Sequence, residues 1–231
     1  MNSFEFFIAK RYFKAKRRTG FISIITYVSI GGVMIGVTAL ILVLSVMNGF
    51  EQEVRSRLLG ADAHLRLRKF YLEPITRTDS LLNLVRHTKH VIGASPVIMD
   101  KGMISGKQRQ YATVVKAIEP DLADKVTDLK DKIVLGSLDF SPRLIHGKML
   151  PGIVLWRYLA DALYATHIGD VVTLWTMPKE GGIFSQPRVM QFYVAGLVEI
   201  GYYEYDKTLS YIALQDARKL FGLKGVTWIE I

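Results

Sequence analysis

The amino-acid sequence predicts an α+β protein in which one N-terminal transmembrane helix continues into a stalk and then into an extracytoplasmic α+β domain. Three observations carry this. No charged residue stands between Arg18 and Glu51, and residues 21–47 are almost wholly apolar, longer than the roughly 20 residues that cross a ~30 Å hydrocarbon core. Residues 1–18 carry six Lys or Arg against one acid, Glu5, so positive charge is packed directly before that run. Beyond residue 60 the apolar pattern mixes strand-like alternation with helical spacing.

Composition narrows the function classes. With 231 residues, half of them apolar, the chain has enough to bury a core, and disorder is excluded. The formal charge of +9 is concentrated at the N-terminus, a distribution that suits a membrane surface rather than nucleic acid. Without cysteine there is neither a disulfide framework nor a thiolate metal site, and the five histidines lack metal-ligand spacing. His87 and His90, at i and i+3, have no plausible third ligand and read as exposed helix residues.

Residues 1–20 are assigned as a cytoplasmic basic segment and 21–47 as the membrane span. Lys10, Arg11, Lys14, Lys16, Arg17 and Arg18 precede the span, so the positive-inside rule retains the N-terminus in the cytoplasm and exports the residues beyond the span. A cleaved secretory signal shares the basic start, but its apolar core is about 7–15 residues long, and the Ala-x-Ala at Ala61 to Ala63 lies far past the run. Ser29, Gly32, Gly36 and Ala39 form a small-residue stripe, with Gly32 and Gly36 at the spacing that lets helix backbones approach closely. Val43, Val46, Met47 and Phe50 fall at helical spacing around the outer end of the span, where they are candidates for contact with lipid or an acylated substrate. Plain helix packing is the competing account.

Residues 48–60 are predicted to continue as an amphipathic stalk. Phe50, Val54 and Leu58 repeat every four residues, Glu51/Arg55 and Glu53/Arg57 make i,i+4 charge pairs, and Gly60 is a natural stop. A helix unbroken over residues 21–59 measures about 58 Å at 1.5 Å per residue, stiff enough to carry motion; a simple spacer explains it equally.

The outer domain is assigned to residues 61–231. His64 to Arg68 alternates as a strand, while Ser80 to Val85 and Val154 to Ala165 read as amphipathic helices. Met103 to Ile118 reads as a hairpin around Gly106-Lys107, Val171 to Met177 and Val189 to Val198 as strands, and Gln215 to Phe221 as a short helix ended by Gly222. The turn-rich stretch Thr176 to Arg188 puts Ile183 and Phe184 in a loop that should be polar, which marks either a docking loop or a loop anchored on its own domain. Tyr202, Tyr203 and Tyr205 read as a packed connection, with a partner-binding cluster as the alternative. No Ser, His and Asp grouping nominates a triad, and no GxxxxGK[ST] occurs. The chain is therefore expected to be non-catalytic and to need no cofactor, and any ATP hydrolysis belongs to another subunit.

The stretch FISIITYVSIGGVMIGVTALILVLSVMNGFEQEVRSRLLG, above all Ser45 to Glu51, resembles the first membrane helix of the lipoprotein-releasing permeases, relatives of the macrolide-exporter-type ABC permeases. Gly93 to Ile98, Val115 to Asp121, Leu159 to Leu163, Gly169 to Leu174 and Phe192 to Gly201 come next as landmarks in family order, so the resemblance covers nearly the whole chain. Trp156-Arg157 departs from a common Gly-Lys. The resemblance implies two interleaved subdomains outside the inner membrane and three further membrane helices beyond residue 231. It also implies a mechanical role, extracting lipoproteins with energy from a cytoplasmic ABC ATPase, beside a second permease subunit, identical or homologous, and passing them to a periplasmic carrier. In that family a hairpin of one subunit type hooks the carrier, and Ile183, Phe184, Ser185, Gln186, Pro187 and Arg188 are similar to that hook, with Phe184 in place of its proline. Gln186-Pro187-Arg188 is also similar to the subunit type without the hook. The rival readings are another ABC permease, for drug or peptide export or control of a cell-wall hydrolase, and a signal-anchored binding module.

Overall fold

The computed structural model describes residues 3–14, 20–59, 63–177, 186–199 and 208–231. The chain divides into two compact units, Met1–Val54 and Arg55–Ile231.

The first unit holds helix α1, Ser3–Lys14, and most of helix α2, Gly20–Leu59. Forty residues of α-helix span about 60 Å, and no proline interrupts them. Over Ile24–Glu53, α2 is long and apolar enough to cross a membrane, and within this unit it buries none of that window. A helix apolar on every side and exposed on every side needs a lipid or protein surround to be stable.

In the second unit the described strands are β1 (Arg66–Leu67), β2 (Ser95–Ser105), β3 (Gln110–Ile118), β4 (Ile133–Gly136), β5 (Arg143–Ile145), β6 (Lys148–Leu150), β7 (Gly152–Trp156), β8 (Val171–Thr176), β9 (Arg188–Val198), β10 (Leu209–Ala213) and β11 (Trp228–Glu230). The helices are α3 (Thr78–Arg86), α4 (Pro120–Ala123), α5 (Arg157–Leu163) and α6 (Leu214–Phe221). Among the described residues the main sheet runs β1-β11-β2-β3-β10-β7-β9-β4, with β8 paired to both β2 and β9. The pairings β2–β3–β10–β7–β9–β8–β2 therefore form a closed circuit, in which β3/β10 and β7/β9 are parallel and the rest antiparallel. Strands β5 and β6 form a separate hairpin.

Strand alternation sends successive side chains to opposite faces, and each face has its own core. Ile153, Leu155, Phe192, Val194 and Ile212 join Leu82 of α3, Leu159 and Leu163 of α5, and Leu220 and Phe221 of α6. Their neighbours Val154, Trp156, Tyr193, Ala195 and Tyr211 pack on the other face with Ala123, Phe140 and Leu150.

The expected strands at Val171 to Met177 and Val189 to Val198 are β8 and β9, and the expected hairpin is β2–β3, paired from Ser105↔Gln110 to Ile98↔Ala117. At that turn a Cβ on Gly106 would collide with the carbonyl oxygen of Leu163, so the turn can sit against the end of α5 only as glycine. The expected helix over Val154 to Ala165 is corrected. Residues 154–156 belong to β7, buried on both faces between β10 and β9, and the helix starts at Arg157. A strand apolar on both sides carries no alternation, so its run cannot be told from a buried helix by pattern. His87 caps the end of α3 with its ring 2.7 Å from the Asn83 carbonyl oxygen, whereas His90 lies past the helix at φ +70°, so the two do not share a helix face.

Candidate functional site

Two surfaces collect the residues singled out in the sequence. On α2, at 100° per residue, Ser29, Gly32, Gly36 and Ala39 fall in one sector about 80° wide. Val43, Val46, Met47 and Phe50 fall in a sector about 100° wide centred on almost the same direction. One face of the helix thus changes from small to bulky side chains along its length, and Ile41 lies on the opposite side. All four bulky residues are exposed, and a Cβ on Gly32 or Gly36 would meet nothing within 4 Å. Neither glycine is required by packing inside this unit.

The second surface lies at the loop end of the β8–β9 hairpin, beside the Thr176–Arg188 pair. Ile183, Phe184 and Ser185 lie outside the described residues, as do Tyr202, Tyr203 and Tyr205. Gln186 and Pro187 are exposed. Arg188 pairs with Thr176 as the first residue of β9 and donates from Nη1 to the Lys219 carbonyl oxygen at 2.8 Å. A guanidinium on the last turn of α6 satisfies an orphan carbonyl and faces the negative end of the helix. Gly222 caps that helix at φ +69°, with the Arg188 guanidinium packed where a Cβ would stand. Arg188 therefore holds the hairpin to the domain.

Beside this hairpin the strand register builds an apolar row that the sequence did not nominate. Met103 of β2 is paired with Ala112 of β3 on one side and Trp175 of β8 on the other, and Trp175 is paired with Val189 of β9. The intervening Ile104 and Leu174 are fully buried, so by alternation the row faces outward, with Met103 49%, Trp175 40% and Val189 48% exposed. Directly opposed residues on neighbouring strands stand about 4.5–5.5 Å apart, which makes the row continuous. Trp175 is oriented by donation from Nε1 to Ser105 Oγ at 3.3 Å. Met177 and Pro187 extend the apolar ground into a cleft of about 560 Å³ edged by Asp100, Lys101 and Gln110.

Lys107, in the β2–β3 turn, donates to Asp170 at 2.7 Å just before β8, and the other Asp170 oxygen accepts from the His167 backbone N–H at 3.0 Å. Burial acts to raise the Asp170 pKa, but the Lys107 bond, the His167 N–H and the charges of both residues together hold it below the ordinary carboxylate value. Among the described residues no three His, Asp or Glu side chains converge on a point that could hold a metal ion. The surface offers apolar contact area and a few hydrogen-bonding groups, which is binding chemistry.

A model of the MacB-like periplasmic core domain matches residues 26–228. The chain belongs to this family. Within it, the chain is 39% identical over 228 residues to the lipoprotein-releasing system transmembrane protein LolC of Neisseria meningitidis serogroup B, covering 96% of this chain and 52% of that protein. It is 35% identical to the LolC of Xylella fastidiosa, covering 97% and 52%. To the lipoprotein-releasing system transmembrane protein LolE of Haemophilus influenzae it is 25% identical, covering 98% and 54%. The chain thus spans about half the length of the curated relatives it matches. These matches bear out the resemblance to the lipoprotein-releasing permeases: an N-terminal apolar helix leads into a core domain of the MacB-like family.

Proposed function

We propose that this chain supplies the first membrane helix and the outer domain of a LolC-type permease subunit, in an ATP-driven transporter that lifts lipoproteins from the inner membrane and passes them to a periplasmic carrier. The observation that carries the reading is similarity to LolC proteins along 96–97% of the chain, through membrane helix and core domain alike. Identity to the LolC relatives exceeds that to the LolE relative, which favours the LolC type.

In this reading the N-terminus is cytoplasmic and the core domain periplasmic, because six basic residues precede the span. A separate ABC ATPase in the cytoplasm supplies the energy, and a second permease subunit, identical or homologous, completes the membrane part. Substrate acyl chains meet the bulky sector of α2 at Val43, Val46, Met47 and Phe50, while Ser29, Gly32, Gly36 and Ala39 pack against neighbouring helices. The segment from Ile183 to Pro187 and the apolar row through Met103, Trp175 and Val189 dock the carrier. An apolar strip flanked by few charges suits a carrier that must bind, load and leave. No covalent bond is made by this chain.

Two experiments test this. Alkaline phosphatase fused after Gly60 is expected to be active, and activity of a cytoplasmic reporter there instead would refute the orientation. The complete permease, reconstituted with its ATPase and partner subunit, is expected to release an acylated lipoprotein to a soluble carrier only when ATP is hydrolysed. Export of a drug or peptide without lipoprotein release would overturn the assignment.

A further inference from the structure

The segment after β1 presents chemistry that neither the α2 face nor the β8–β9 surface uses. Phe70 is 91% and Tyr71 96% exposed, side by side in a single 3-10 turn, Phe70–Leu72. Tyr71 stands at φ +58°, ψ +20°, a left-handed conformation that costs an L residue free energy and that here turns a large ring outward. Arg68 and Lys69, both exposed, directly precede the pair. Glu73 is the nearby acid, and it reaches Lys69 only at 4.0 Å between two exposed side chains, too weakly to neutralise the site.

We propose that residues 68–71 form a membrane-surface contact of the outer domain, with Arg68 and Lys69 on the anionic phosphates of lipid headgroups and the Phe70 and Tyr71 rings at the headgroup–acyl boundary. Aromatic rings beside cations are the composition of a membrane interface, where one end of the side chain is apolar and the other wet. A protein interface fits less well. Of the four residues only lysine is depleted at protein–protein interfaces, but the residues that dominate binding there sit in ringed, desolvated pockets, whereas Phe70 and Tyr71 stand almost fully exposed on a turn. Chain length permits the contact. From Glu51 the helix continues eight residues to Leu59, about 12 Å, and the nine residues from Leu59 to Arg68 can span up to about 30 Å, enough to return to the surface the helix leaves.

The proposal rests on α2 being a membrane span, so its test reads both. The chain has no cysteine, and single replacements Tyr71→Cys, Ile92→Cys and Val43→Cys can carry an environment-sensitive fluorophore in the full chain reconstituted into bilayers. Ile92, at 94% exposure, is the matched control outside the turn. A headgroup-borne nitroxide is expected to quench the label at position 71 in bilayers of phosphatidylglycerol and phosphatidylcholine in equal parts, more weakly in pure phosphatidylcholine, and to leave position 92 unquenched. Adding Arg68→Ala and Lys69→Ala is expected to lower the ratio of lipid-engaged to free turn roughly thirtyfold, the combined attraction of two cations to an anionic surface. An acyl-borne nitroxide is expected to quench position 43. Quenching at 43 with none at 71 would overturn the proposal and leave the span standing. Equal quenching at 71 and 92, or shielding of 71 only when a partner protein is added, would also overturn it. No quenching at 43 would remove the span itself.

Discussion

Glu230 is buried in the outer domain with a charged partner, and breaking that pair is the most quantitative test of the fold. Lys116 Nζ lies 2.8 Å from Glu230 Oε1, and their side chains are 6% and 2% exposed. The Trp228 indole N–H donates to the same oxygen at 3.3 Å, and Arg66 Nε stands 3.8 Å from it, joining β1, β11 and β3 through one carboxylate. Breaking a buried pair from one side costs about 3–5 kcal/mol, because a charge remains in low dielectric, while replacing both members by apolar groups of similar volume is often neutral or stabilising. Lys116→Met leaves Glu230 with Trp228 and the half-exposed Arg66, so the expected loss is about 3 kcal/mol, the lower end of that range. The double replacement Lys116→Met with Glu230→Leu is expected to recover most of this and to fall within ~1 kcal/mol of the parent. All three tryptophans, Trp156, Trp175 and Trp228, lie in this unit, so urea unfolding followed by tryptophan fluorescence in detergent reports on it without interference from α2. A loss under ~1 kcal/mol for Lys116→Met, with the two replacements simply adding, would mean water screens the pair and would refute the argument.

Gly106→Ala is expected to destabilise the domain by about 1–3 kcal/mol, since its Cβ would meet backbone rather than a flexible side chain; an unchanged urea midpoint would count against the close approach of the β2–β3 turn to α5. Because the Asp170 pKa lies below its unfolded value, its contribution is present above the ordinary carboxylate range and is lost as pH falls through the folded pKa. Asp170→Asn should therefore lower stability at neutral pH and flatten the acid limb of the stability curve, and parallel curves for parent and variant would refute it. A photocrosslinker at Met47 in the complete transporter is expected to capture lipoprotein before ATP and lose it afterwards, while one at Ile41, on the opposite face of α2, does not. Equal, ATP-independent capture of phospholipid at both would show that the bulky sector only faces the bilayer. Replacing Ile183 and Phe184 by Asp, or Met103 alone by Asp, is expected to weaken carrier crosslinking with the thermal melt unchanged, and a large loss of stability would instead identify these residues as anchors of the fold.

Local signals were readable wherever one physical cause dominates a stretch. The absence of charge from residue 19 to residue 50 marks the helix that becomes α2, because a single charge inside it would be costly in hydrocarbon. Gly222 after Phe221 marks the end of α6, where only glycine takes the left-handed cap without strain. Strand β8 was visible as an alternating run, and β9, whose residues 192–198 are buried on both faces, as an apolar run rich in β-branched and aromatic residues set off by Pro187. Strand β7 was not, because burial on both faces erases alternation and its apolar run passes directly into α5 with no turn residue to separate them. Strands β10 and β11 went unread because neither run of five and three residues shows a period of its own.

The residues alone determined that an apolar helix precedes a mixed α+β domain, and which lipoprotein-releasing relatives the chain resembles, since both are properties of neighbouring residues in order. The tertiary structure decided which side chains stand together. Met103, Ala112, Trp175 and Val189 form one exposed row only because β2, β3, β8 and β9 pair in a particular register, and a shift of one residue in any strand would turn its member of the row inward. Arg188 lies in a candidate docking segment by sequence, yet in the fold it braces the last turn of α6, because β9 begins 31 residues before the carbonyl it caps. Lys116 and Glu230, 114 positions apart, share one buried bond for the same reason. Register and long-range pairing are set by the core on both faces of the sheet, and no local pattern of residues encodes them.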